Sequence, residues 1–311
     1  MGPASVLVRE VSRCGIVVPK CHQCWFRDGG VSRVTRPNGP AGARGTGGPS
    51  PVMTTETLTT GWEPDGPVGD SLARRFVHAY ADRTTAMAAR SGGRARRVAG
   101  AVLADPGSPF GYDNAVVLTA PPDPGGLRRV LDDAAGFFPP HRWWVLLSLF
   151  ALPDLGGYGL VRVGHPPLMF RPPGPLPPPP PDLRIRTVPD ADPADFERVL
   201  VAGYGFAEVG RPAVADPRSA GLLHLVVGYA GDEPVATAGA GVHHGVVEVD
   251  WVSVLPEHRG RGFGGAVTAA VCAAAPGLPS LLISSDDGHP VYRRLGFWDL
   301  FRTTMWEHPP S

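Results

Sequence analysis

The sequence predicts an α/β protein of the α+β kind: a mixed, mostly antiparallel twisted sheet with flanking helices, preceded by a second lobe of related design. Three observations carry this. The apolar runs "LLHLVVGYA", "PVATAGAGV" and "VVEVDWVSVL" (222–255) are joined by "GDE" and "HHG", the short polar links of hairpins. A glycine-rich stretch, "EHRGRGFGG", then leads into an alanine-rich run of helical character. Upstream, "RPPGPLPPPPPD" (171–182) reads as a semi-rigid polyproline spacer, because proline fixes φ and supplies no N–H donor.

The second lobe, 183–309, opens with the strand "RIRTVP". Asp192 followed by Pro193 is an N-cap with proline in the first turn, and Phe196, Val199, Leu200 and Tyr204 continue at helical spacing. The three hairpin strands follow, then a helix over about 262–275. The strand "SLLISS", a short helix near 289–295 and a last strand around 297–306 complete the lobe. The first lobe, 68–170, reads as a helix at 71–90 capped by Asp70, a strand at 115–119 and a helix at 126–137. The strand "RWWVLLSLF" and a final strand ending at Met169 and Phe170 close it. "PDLGGYGLVRVGHPPLMF" (153–170) aligns loosely with "PVYRRLGFWDLFRTTMW" (290–306), matching Tyr158 to Phe297, which suggests an internal repeat.

With 311 residues, 43% of them hydrophobic, the chain can build two cores; its formal net charge of zero argues against nucleic-acid or membrane-surface partners. Residues 1–52 differ: seven basic residues stand against Glu10 and Asp28, and "RPNGPAGARGTGGPSPV" has no periodicity. Residues 1–67 are expected to be a disordered extension, with Met53 as the working start. Cys14, Cys21 and Cys24 lack a well-placed fourth zinc ligand, so no metal is expected. The longest apolar run, "WWVLLSLFAL", is about half of the ~20 residues a spanning helix needs. A cytoplasmic protein is the expectation.

Gly260-Arg261-Gly262-Phe263-Gly264-Gly265 satisfies G-x-G-x-x-G, and Asp286 falls about 20 residues on, as in a dinucleotide site. The context differs. "LPEHR" separates the strand from the glycines, tight hairpins precede it, and the chain after Lys20 holds no lysine for a P-loop. A dinucleotide-dependent oxidoreductase is the weaker alternative. Arg259-x-x-Gly262-x-Gly264, three residues after Pro256, together with "SSDDGHPVYRRLGF" (284–297), resembles the GNAT superfamily of acyl-CoA-dependent N-acetyltransferases over about 183–309.

That resemblance implies acetyl-CoA as cosubstrate, with no metal, and an amine acceptor: a small molecule or a protein N-terminus. It implies that Val252, Ser253 and Val254 offer backbone groups to the pantetheine arm. Arg259, Gly260, Arg261, Gly262, Phe263 and Gly264 would hold the pyrophosphate, as glycines and a helix N-terminus favour an anion. Tyr292 would protonate the leaving thiolate. Ser285 stands where many members have asparagine. Glu248 and Asp250, two apart on one strand and so on one face, are the candidate bases. The first lobe would be a degenerate GNAT-like copy that binds no coenzyme A. A catalytically silent coenzyme A-binding regulatory module remains an alternative.

Overall fold

The computed structural model describes residues 71–188, 192–205 and 209–310. The expected N-terminal extension, its cysteines and the proposed Asp70 cap lie outside these residues. Helix α1 (Leu72–Arg90) is capped by Ser71, whose Oγ accepts from the Arg74 N–H at 3.1 Å. Ser71 thus takes the place assigned to Asp70, and Gly92, at φ +75°, turns the chain away after the helix. A hairpin of β1 (Arg94–Val98) and β2 (Ala101–Asp105) follows. It escapes sequence reading because the exposed "RARRV" shows no apolar alternation. Strand β3 (Ala115–Leu118) leads to helix α2 (Pro124–Phe137), then β4 (Trp144–Ser148), β5 (Val161–Gly164) and β6 (Pro167–Arg171).

After the proline segment come β7 (Arg184–Thr187), helix α3 (Pro193–Tyr204), β8 (His224–Ala230), β9 (Glu233–His243) and β10 (Val246–Val254). Asp192 caps α3 by accepting from the Ala194 N–H at 2.8 Å, and Gly205 ends it in the left-handed region, as the local sequence implies. Helix α4 (Phe263–Cys272), β11 (Ser280–Ile283), the short helix α5 (His289–Arg294), β12 (Trp298–Arg302) and β13 (Thr304–His308) complete the order. The single last strand expected at 297–306 is therefore two.

Those two strands go to different sheets. One sheet runs β1-β2-β3-β4-β13-β5 and the other β12-β6-β11-β10-β9-β8-β7. Strand β6, before the proline segment, lies between β11 and β12; β13, at the chain's end, lies between β4 and β5. The exchange is reciprocal, so a cut at 171–182 would take a strand out of each sheet. The two sheets also correspond in order: a meander, a parallel pair across a helix (β3-α2-β4 and β10-α4-β11), then the exchanged strand and an edge strand. Gly159 and Gly296 are both left-handed, two residues before β5 and β12. In this register buried Leu160, not exposed Tyr158, matches Phe297, correcting the sequence alignment.

Burial follows the same logic. Helix α2 covers the outer face of the first sheet through Leu127, Val130, Leu131 and Ala134. Helix α4 covers the second through Phe263, Val267 and Val271. Between the sheets, Phe76 and Val77 of α1 share one core with Val117 and Leu147 of the first sheet and Val246 and Leu281 of the second. No described helix is long and apolar enough to cross a membrane.

Candidate active site

Strands β10 and β11 are paired in parallel only at Val247–Ser280 and Glu248–Leu281. Beyond Glu248 they part, while β10 stays bonded to β9. The edge of β10 that faces β11 is thus left open over its last residues, among them Val252, Ser253 and Val254. A cleft of about 770 Å³ lies in this gap. Its walls include those three residues, Tyr204 of α3, the glycine loop, Ser285 and Tyr292, with Pro177, Pro178 and Pro180 of the polyproline segment along one side.

The glycine loop is shaped by backbone demands. Gly260 and Gly262 have φ of +78° and +81°, where a β-carbon is strained. Gly262 occupies the N-cap of α4 and offers no side-chain cap, so the first N–H groups of the helix open toward the cleft. A β-carbon on Gly260 would meet nothing within 4 Å, and one on Gly262 only the ring of Pro180 at 3.8 Å. This is the open, donor-rich concavity that an anionic group such as a pyrophosphate fits. Phe263 and Gly264 continue the wall, Phe263 being buried.

The two arginines serve the frame more directly than the cleft. The Arg259 guanidinium donates to Gly203 O at 2.9 Å and Val254 O at 3.3 Å, tying the end of α3 to the end of β10. Arg261 turns outward, pairing with Asp182 of the polyproline segment and stacking over Phe263. Ser285 Oγ accepts from the Gly288 N–H at 3.1 Å and so shapes the turn into α5.

Tyr292, on α5, is buried against Phe297 with its ring in the cleft wall. Its hydroxyl has no hydrogen-bond partner among the described residues. Burial, with the Asp250 charge adding to it, pushes the phenol well above its ordinary range, so it stays protonated. Close by, β10 carries a bulge: between Asp250 and Ser253 it advances three residues while β9 advances two, and Trp251 takes φ +52°.

The two candidate carboxylates separate in role at this bulge. Glu248, 1% exposed, does not reach the main cleft; it forms a bidentate pair with Arg83 of α1, Nε to Oε2 at 2.7 Å and Nη2 to Oε1 at 2.8 Å. Asp250, 34% exposed, faces the cleft and accepts from Arg83 Nη2 at 3.0 Å. Arg83 is sandwiched between the rings of Tyr80 and Trp251, each centroid 4.3 Å from its Cζ. Burial disfavours the guanidinium charge, but the Glu248 and Asp250 charges outweigh this and raise its pKa. Sequence reasoning missed Arg83, although a signal exists: it falls on the buried stripe Phe76-Tyr80-Arg83-Met87, a place for an apolar residue.

A second, smaller cavity of about 80 Å³ joins the first along Tyr204, Val249, Asp250, Trp251 and Ile283. At the rim of the main cleft, which His258 helps to line, ligand atoms of Glu233, Glu257 and His258 lie within 4.8 Å of one another, the one such group among the described residues.

Residues 222–299 match the family model described as an acetyltransferase (GNAT) domain. No curated protein sequence matches the chain. Among solved structures, a GCN5-related N-acetyltransferase from Kribbella flavida aligns over 76% of this chain and 96% of its own, at 23% identity and TM-score 0.57. A functionally unknown conserved protein from Staphylococcus epidermidis aligns over 70% of this chain and 93% of its own, at 15% identity and TM-score 0.52. Both spans exceed what the second sheet alone could supply, so the likeness in fold includes the first. Over residues 222–299, then, the chain carries a GNAT acetyltransferase domain.

Proposed function

We propose that the protein transfers an acetyl group directly from acetyl-CoA to an amine. The observation that carries this reading is the parting of β10 and β11, which sets the open edge of β10, the glycine loop and Tyr292 around one cleft. Acetyl-CoA supplies a thioester-activated acetyl group. The backbone of Val252–Val254 binds and aligns the pantetheine arm along the open strand edge, and the α4 N-terminus with Gly260–Gly264 receives the pyrophosphate.

Asp250, at the cleft wall, takes a proton from the acceptor ammonium directly or through water; Glu248, closed into its pair with Arg83, holds that arrangement in place. As the amine nitrogen bonds to the carbonyl carbon, the carbon–sulfur bond breaks and Tyr292 donates its phenolic proton to the departing sulfur; the second proton, which the nitrogen sheds on becoming an amide, returns through water to the Tyr292 phenolate. The raised pKa of Tyr292 suits a donor that must be protonated at neutral pH.

The first lobe binds no coenzyme A on this reading. Its corresponding helix, α2, is capped from within: Asp123 Oδ1 accepts from the Gly126 N–H at 2.7 Å, which uses a donor and places a negative charge where an anion would sit. Its α1 instead supplies Arg83 to the site. Acetyl-CoA-dependent thiol release across a panel of amines tests the reading; release with none, alongside absent acetyl-CoA binding, would overturn it.

A further inference from the structure

The small cavity beside the cleft carries an inference about the acceptor, which rests on the transfer reading above. We propose that it is the acceptor site and that it selects a short primary amine bearing no carboxylate. Its walls come from both lobes: Phe76, Tyr80, Phe110 and Tyr112 from the first, Tyr204 and Trp251 from the second. Phe110 meets Tyr112 and Tyr204 edge-on or tilted, at centroid distances of 5.6 and 6.1 Å, so the rings support one another as a box. Aromatic faces attract a cation and accept an alkyl body.

Charge completes the selection. Burial raises the Glu248 carboxyl while its bidentate pair with Arg83 favours the ionised form. With Glu248 ionised in that pair, it and Asp250 share one guanidinium, which leaves one negative charge at the junction of the two cavities. Nε and Nη2 of Arg83 go to the carboxylates and Nη1 lies 3.7 Å from Met87 Sδ. Arg83 is 3% exposed and lines neither cavity, so it is not presented to an incoming anion. An ammonium at Asp250 restores neutrality, whereas an acceptor carrying its own carboxylate meets uncompensated negative charge in a partly buried place. The volume of about 80 Å³ sets the size. At roughly 30 Å³ for a water-sized group, it holds a body of about three heavy atoms, with the nitrogen at Asp250 facing the cleft.

The test uses the full chain, acetyl-CoA and three acceptors: propylamine, β-alanine and a lysine-bearing peptide. Acetyl-CoA affinity is measured separately by calorimetry. The expected result is a kcat/KM for propylamine at least tenfold above that for β-alanine or the peptide. Asp250→Asn should lower the propylamine value at least tenfold, through kcat as the lost base and through KM as the lost partner of the ammonium, with acetyl-CoA affinity held within twofold. A preference for β-alanine or the peptide, or an unchanged propylamine KM in Asp250→Asn, would overturn the acceptor assignment. Acetyl-CoA binding without propylamine turnover would overturn it alone, whereas absent acetyl-CoA binding would overturn the transfer reading as well.

Discussion

Arg83 and Glu248, 165 residues apart, meet in a bidentate ion pair with side chains 3% and 1% exposed. The pair joins α1 of the first lobe to β10 at the edge of the cleft. Removing one partner of such a pair leaves a buried charge uncompensated, at a cost of about 3–5 kcal/mol. Arg83→Met should therefore destabilise the protein by that order in urea unfolding, and Arg83→Met with Glu248→Gln should recover much of the loss. Independent, additive effects of the two substitutions would show that the pair is not coupled.

Asp113 should make stability fall as pH rises. Its carboxyl is pushed up to about 6, chiefly by burial, while the Ala213 N–H and the Ser108 hydroxyl favour the charged form and only partly offset it. Its Oδ1 has no partner among the described residues. The folded chain thus keeps this proton where an unfolded aspartate, near its ordinary ~3.9, has lost it. Below about pH 4 the group contributes no penalty; between about 4 and 6 the penalty grows, to roughly 3 kcal/mol for a shift of about two units. Asp113→Asn should gain on the wild type across that window when urea midpoints are compared pH by pH. Parallel curves would contradict the shift.

The parts of the site set by local spacing were legible in the sequence. The left-handed Gly260 and Gly262 and the placement of Tyr292 on a short helix before Leu295 follow from residues close in the chain. The strand exchange was not legible. The sequence shows a strand ending at Met169 and Phe170 and one over about 297–306, but apolar alternation says neither that the latter divides nor which sheet a strand joins. The Arg83–Glu248 pair was hidden for a related reason: the helical stripe marks Arg83 as a buried charge, but nothing local names its partner until the fold unites them. The bulge at Trp251 depends on the register with β9, which the sequence of β10 alone does not encode.

Tyr292→Phe removes the phenolic proton and keeps the ring that packs on Phe297. A lost general acid of this kind costs on the order of 10²-fold or more in rate. Turnover should fall by about that factor at neutral pH while acetyl-CoA affinity, read by calorimetry, stays within twofold. A variant as active as the wild type would remove Tyr292 from the chemistry.

The most direct measurement is a calorimetric titration of the full chain with acetyl-CoA, repeated on Gly262→Asn and Gly262→Asp. Both side chains tolerate the left-handed φ of +81° better than others do, and they differ almost only in charge. One acetyl-CoA per chain is expected for the wild type, with Gly262→Asn weakened modestly and Gly262→Asp weakened at least tenfold more than Gly262→Asn. Two sites per chain, no binding at all, or equal affinity for the two variants would contradict an anion held at the N-terminus of α4.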